Sequence, residues 1–177
     1  MKINYGLTPK LFCLTLFSIL YLLLTFNISQ AEEREIVYSA YSAQGWEIWK
    51  IDPLGNKPVQ LTEMQADLRT PAWSPSASKI AFVSNTGQMF VLNLSNKKLT
   101  ELKTPPGKAD FPAWYPDESK ISFVLFTYQE GEDSDLWEIN LENKKSPGSK
   151  KLFASTKMES YPSWSSDGNK MVYTLFS

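Results

Sequence analysis

The 177-residue chain contains no histidine, which removes the Ser-His-Asp triad, the Cys-His pair, imidazole general bases and every His-ligated metal site. Its one cysteine is Cys13, inside the leader described next, so the rest is expected to have no disulfide, no thiolate metal site and no cysteine nucleophile. Eighteen basic residues against nineteen acidic ones, with no basic cluster, leave no electrostatic footprint for nucleic acid or for an anionic membrane surface.

Residues 1–31 read as a secretory signal peptide. Lys2 and Lys10 precede or flank an apolar run from Leu11 to Ile28, no acidic residue occurs before Glu32, and Ser29 and Ala31 supply the small side chains of a cleavage site. An uncleaved membrane anchor is the alternative, and both readings export the remainder. Residues 32–177 are then expected to be one domain with no membrane span, large enough to bury roughly 70% of its unfolded surface.

After the leader the chain repeats itself. The first unit runs "EIVYSA" from Glu35, "EIWKID" from Glu47 and Leu61 within "VQLT". The second runs "TPAWSPSASKIAFVS" from Thr70, "QMFVLN" from Gln88 and Leu102 within "LTELK". "FPAWYPDESKISFVL" from Phe111, "DLWEIN" from Asp135 and Leu152 within "KKLFA" make the third, and "YPSWSSDGNKMVYTL" from Tyr161 opens a fourth. The tryptophans Trp73, Trp114 and Trp164 are 41 and 50 residues apart, each with a proline two before it (Pro71, Pro112, Pro162), a lysine six after it and a leucine twelve before it. Four short strands per unit at a period in the forties predict an all-β partial propeller, about three four-stranded blades and an incomplete fourth, thirteen strands in all.

Patterning within a unit supports this. Ile80 and Phe82 point to one face and Ala81 and Val83 to the other, both apolar, as a strand sandwiched between neighbouring blades requires. Trp49 and Ile51, Phe90 and Leu92, and Trp137 and Ile139 share one face of the next strand, and the other face takes Lys50 and Glu138, which predicts half-exposed outer strands. The prolines are expected at the start of a short inner strand, where a missing N–H is tolerated, and the tryptophans as slabs filling the gap between blades. Ser74-Pro75, Tyr115-Pro116 and the run Ser165 to Gly168 turn the chain into the following strand. The inner strand at Tyr161 to Trp164 is able to complete the first unit, which would leave "MVYTLF", Met171 to Phe176, as an uncharged open edge inviting another chain.

The stretches "PAWSP…KIAFVS", "PAWYPDESKISFV" and "PSWSSDGNKMVYT" resemble the repeats of the TolB-type β-propellers, whose consensus is P-x-W-S-P-D-G followed by a K-I-x-F strand. The resemblance covers nearly all of residues 32–177. It implies a periplasmic propeller that holds protein partners on its funnel face; the lack of a catalytic constellation in the residues adds the expectation of a non-enzymatic chain without a cofactor. The α/β domain that such proteins carry ahead of the propeller has no counterpart between Ala31 and the first repeat, so its interactions are not carried over.

For chemistry, carboxylates are what remain. Asp67, Asp110 and Glu159 stand just before the Pro-x-Trp elements, where inner strands begin beside a central channel, and are the candidate partner-binding residues. A rival reading makes them the acids of a carbohydrate-active propeller, or the chain a ligand-binding propeller or the propeller of a peptidase-like protein without its catalytic domain. The acidic loop "YQEGEDSD", Tyr128 to Asp135, lacks the D-x-D-x-D-G order of a calcium loop and is expected to be a solvated hairpin tip.

Overall fold

The computed structural model describes residues 35–127, 133–142 and 148–176; the expected leader and residues 128–132 of the acidic loop lie outside them. Regular structure among the described residues is entirely β, in thirteen strands. The first unit forms a three-stranded sheet of β1 (Ile36–Ser42), β2 (Gly45–Ile51) and β3 (Val59–Gln60). The second forms a four-stranded meander of β4 (Leu68–Trp73), β5 (Lys79–Ser84), β6 (Met89–Asn93) and β7 (Leu99–Leu102). In the third, β8 (Lys108–Trp114), β9 (Lys120–Thr127), β10 (Asp133–Asn140) and β11 (Ser149–Phe153) pair in the same order. Strands β12 (Met158–Trp164) and β13 (Met171–Phe176) form an antiparallel hairpin that meets the third blade through one parallel bridge, Ser134 to Met158. Strand β12 therefore does not complete the first unit: the twelve-and-six spacing around Trp164 places it as the inner strand of a fourth blade, with β13 as its own partner.

Strands β4, β5 and β6 of the second blade alternate their side chains between two cores, and both cores are apolar. Ile80 and Phe82 pack with Ile48, Leu68, Phe90 and Leu92 at the seam between the first two blades. Ala81 and Val83 pack with Met89, Ala109, Trp114 and Phe123 at the next seam. Phe82 and Phe123, at matching register, are fully buried, a contribution of about 1.5–3 kcal/mol each. The third strand of a blade is less exposed than its pattern suggests. Glu138 is buried because Lys120 and Tyr115 reach over from their own strands to bind it, and the true outer strands are β7 and β11.

The prolines lie inside the inner strands and not at their starts. In all three the ladder slips around the proline, between Arg69 and Ala72, Asp110 and Ala113, and Ser160 and Ser163. A bulge leaves a residue unpaired, so a proline there costs no ladder hydrogen bond. The residue before each proline takes a left-handed backbone, with φ of 47° at Thr70, 49° at Phe111 and 55° at Tyr161. The turn from first to second strand repeats as well, with φ of 54° at Ala77, 58° at Glu118 and 71° at Gly168.

Candidate functional site

Inner strands β4, β8 and β12 pack against one another in succession, and the bulges bring their upper halves onto a common rim. At Asp110 the carboxylate Oδ1 accepts a hydrogen bond from Thr70 Oγ1 at 2.8 Å and from the Phe111 N–H, while Oδ2 lies 3.5 Å from the Arg69 guanidinium. The side chain of Phe111 packs on Tyr161 with ring centroids 4.3 Å apart. The left-handed residue of each blade thus grips the next blade: Thr70 holds Asp110, and Phe111 holds Tyr161. Backbone strain of this kind costs about 1–3 kcal/mol per residue and persists where neighbours over-determine it.

The other two candidate carboxylates are held elsewhere. Asp67, with φ 45°, accepts the Trp46 N–H and the Asn85 amide, each at 3.2 Å, and so ties the β1–β2 hairpin to the β5–β6 turn. Glu159 is fully buried: Oε1 accepts Ser155 Oγ at 2.5 Å, and Oε2 has no partner. Asp67, Asp110 and Glu159 share no hydrogen-bonding partner, and among the described residues no three His, Cys, Asp or Glu side chains gather as a metal site would need. Of the acidic loop, Asp135 is described, and it is buried in β10 against Lys151 at 2.5 Å.

The tryptophans sit at the seams. Trp114 is buried, and its indole N–H donates across to the Ala72 carbonyl at 3.1 Å. The Trp164 N–H donates to Ser122 Oγ of the third blade at 2.9 Å. Trp73 Nε1 is buried without a partner, because the two acceptors used by its equivalents are missing. Its counterpart of Ser122 is Val37, and the first blade has no described inner strand to offer a carbonyl.

At the opposite end of the blades a second set of side chains joins them, and sequence reasoning passed it over. Glu118 accepts the Ser76 N–H at 2.7 Å and the Lys79 ammonium at 2.8 Å, both from the preceding blade. Burial alone would raise this carboxyl, but hydrogen bonds from Lys79, Ser76 and Ser74 outweigh it and hold it at about 2. Tyr115 donates to Glu138 at 2.5 Å, packs against Trp164 with tilted rings 4.0 Å apart and lies beneath Lys120. Burial, then the Glu138 carboxylate, pushes its phenol well above the ordinary range. Back at the rim end, Glu47 is fully buried, and its carboxylate gathers Thr62 Oγ1 and the Met64 and Gln65 N–H groups, which shapes the loop leading into β4. One signal was visible beforehand: Glu118 occupies the turn position that Gly168 fills in the last repeat, and a glutamate there needs a reason.

Residues 30–175 match the family model of the TolB β-propeller domain. No curated protein sequence matches the chain. Among solved structures, TolB from Acinetobacter baumannii aligns over 80% of this chain and 36% of its own, at 19% identity and a TM-score of 0.64. A putative TolB from Agrobacterium tumefaciens aligns over 81% of this chain and 55% of its own, at 18% identity and a TM-score of 0.64. Oligogalacturonate lyase from Vibrio parahaemolyticus aligns over 73% and 39%, at 12% identity and a TM-score of 0.58. At such identities the likeness is one of fold, and the chain spans less than two thirds of each of these proteins.

Proposed function

The chain belongs to the TolB β-propeller domain family, and from that premise we propose that it is an exported, non-enzymatic propeller that holds protein partners in the cell envelope. The observation that carries this reading is the chemistry of the rim. Its carboxylates are spent on the framework, Asp110 on Thr70 and Arg69, Asp67 on Trp46 and Asn85, and Glu159 on Ser155. What it offers to solvent is Arg69, with a side chain 45% exposed, and Tyr161, 57% exposed. Arginine and tyrosine are the residues that dominate protein-binding hot spots.

Periplasmic placement follows from the leader-like residues 1–31, and no described helix is long and apolar enough to cross a membrane. Residues 32–177 act in this reading as one propeller segment that needs no cofactor, and further blades or a second copy complete the ring. Capture from an envelope extract tests the scaffold. A partner retained by residues 32–177 and lost with Arg69→Ala or Tyr161→Ala supports it. Retention of nothing, or of the same proteins by both variants, refutes the rim as the binding surface.

A further inference from the structure

A concave surface between the first and second blades borders the rim at Asp67 and Arg69 and is built differently from it. This cleft, of about 350 Å³, is lined by Ser39, Trp46, Asp67, Leu68, Arg69 and Asn85. We propose that it binds a hexopyranose unit, with the sugar's C–H face on Trp46 and its hydroxyls shared among Asp67, Asn85 and Arg69.

The aromatic element is Trp46, which stands 48% exposed at the hairpin between β1 and β2 and is braced edge-on by Tyr41 at 5.9 Å. Beside it Leu68 is fully buried and makes the floor apolar. Asp67 is fixed before any ligand arrives. Its oxygens are pinned by the Trp46 N–H and the Asn85 amide, and a Cβ at Gly45 would lie 2.9 Å from Oδ1, so the carboxylate rests against the hairpin backbone. Each carboxylate oxygen still has a lone pair to accept with. Arg69 makes one long contact, 3.5 Å to Asp110, and keeps donors for a ligand. Ser39 Oγ is buried and has no partner.

An indole surrounded by fixed acceptors and donors suits a ligand with an apolar face and a rim of hydroxyls, each of which donates and accepts. Other classes fit less well. An anion would approach Asp67 and Asp110 with only Arg69 to balance them, and a purely apolar ligand would leave the buried Ser39 Oγ without a partner, at about 1–3 kcal/mol. The volume lies at the lower end of small-ligand sites, which suits one sugar ring better than a long oligomer. This proposal differs from the protein-scaffold reading in its ligand and shares Arg69 with it, so Trp46→Ala, at a residue outside the rim, is the variant that separates the two.

Saturation-transfer NMR with residues 32–177 against methyl gluco-, galacto- and mannopyranosides and N-acetylglucosamine tests it. Expected is saturable binding of at least one sugar in the millimolar range, with the strongest transfer to ring C–H protons. Trp46→Ala and Arg69→Met should each weaken that binding by about tenfold or more. Because Asp67→Asn can loosen the hairpin, it is read only alongside a thermal melt; Trp46 and Arg69 are exposed, so their variants are expected to melt like the parent. No saturable transfer from any of these sugars up to about 50 mM, or binding that survives both Trp46→Ala and Arg69→Met, overturns the proposal.

Discussion

Thr70, Phe111, Tyr161, Ala77 and Glu118 all hold a backbone conformation that glycine adopts freely and other residues rarely do. Where the side chain gives something back, the strain is compensated. Thr70 and Glu118 each bind a neighbouring blade, and Phe111 and Tyr161 pack against each other as tilted rings. Ala77 is exposed and gives nothing of this kind. Ala77→Gly is therefore expected to stabilise by about 0.5–1 kcal/mol, since relief of about 1–2 kcal/mol of left-handed strain exceeds the added flexibility of the unfolded chain. Denaturant melts would measure the shift. Glu118 makes a prediction of opposite character. Its carboxyl is held at about 2 against an ordinary 4.5, so it binds its proton more weakly folded than unfolded. Its stabilisation is complete above about pH 4.5 and disappears as the pH falls towards 2. Glu118→Gln should cost stability near neutral pH and flatten the acid side of the stability curve, and thermal melts across that range would show both effects. An unchanged acid slope would mean that the Lys79 and Ser76 contacts carry no energy.

At the scale of the element, the seam tryptophans form one repeated device with an instructive gap. Trp114→Ala and Trp73→Ala are each expected to destabilise by about 3–5 kcal/mol, as loss of a large packed aromatic does. Substitution by phenylalanine separates them. Trp114→Phe gives up the hydrogen bond to the Ala72 carbonyl, whereas Trp73→Phe removes a buried donor that has no partner. Trp73→Phe should consequently be the milder change by at least about 1 kcal/mol, because an unpaired buried donor costs more than a made bond gains. Paired chemical melts decide it; equal losses would show that the Trp73 N–H finds an acceptor in solution.

For the whole molecule, the strands form an arc of successive blades, and its last strand behaves unlike its equivalents. Val172 and Phe176 in β13 are 68% and 47% exposed, although the positions that match Val172, Ala81 in β5 and Ser122 in β9, are fully buried. An uncharged strand with a free edge is a template for pairing. Residues 32–177 are expected to associate in a concentration-dependent way under light scattering. Val172→Lys with Phe176→Lys should suppress that association and leave the melt of the inner blades in place. A parent chain that stays monodisperse as a monomer would show that the arc tolerates its open edge.

Much of this could be read along the chain. The recurrence of Pro-x-Trp, the leucine twelve residues before it and the lysine six after it determined the propeller and its thirteen strands, because a repeated unit must bury the same faces at the same register each time. The alternation of Ile80 and Phe82 with Ala81 and Val83 likewise assigned each set to its own seam. What the sequence could not show was which residues meet across the seams. The bulge that moves each proline to mid-strand depends on a left-handed residue that no local propensity announces, as Thr70, Phe111 and Tyr161 are poor choices for it. Asp67, Asp110 and Glu159 look alike in sequence, since each precedes a Pro-x-Trp element. A shift of one or two residues in register sends them to a hairpin backbone, a neighbouring inner strand and a half-buried serine. Local pattern determines which face a strand buries; only the packing of blade on blade decides whose carboxylate finds whose donor.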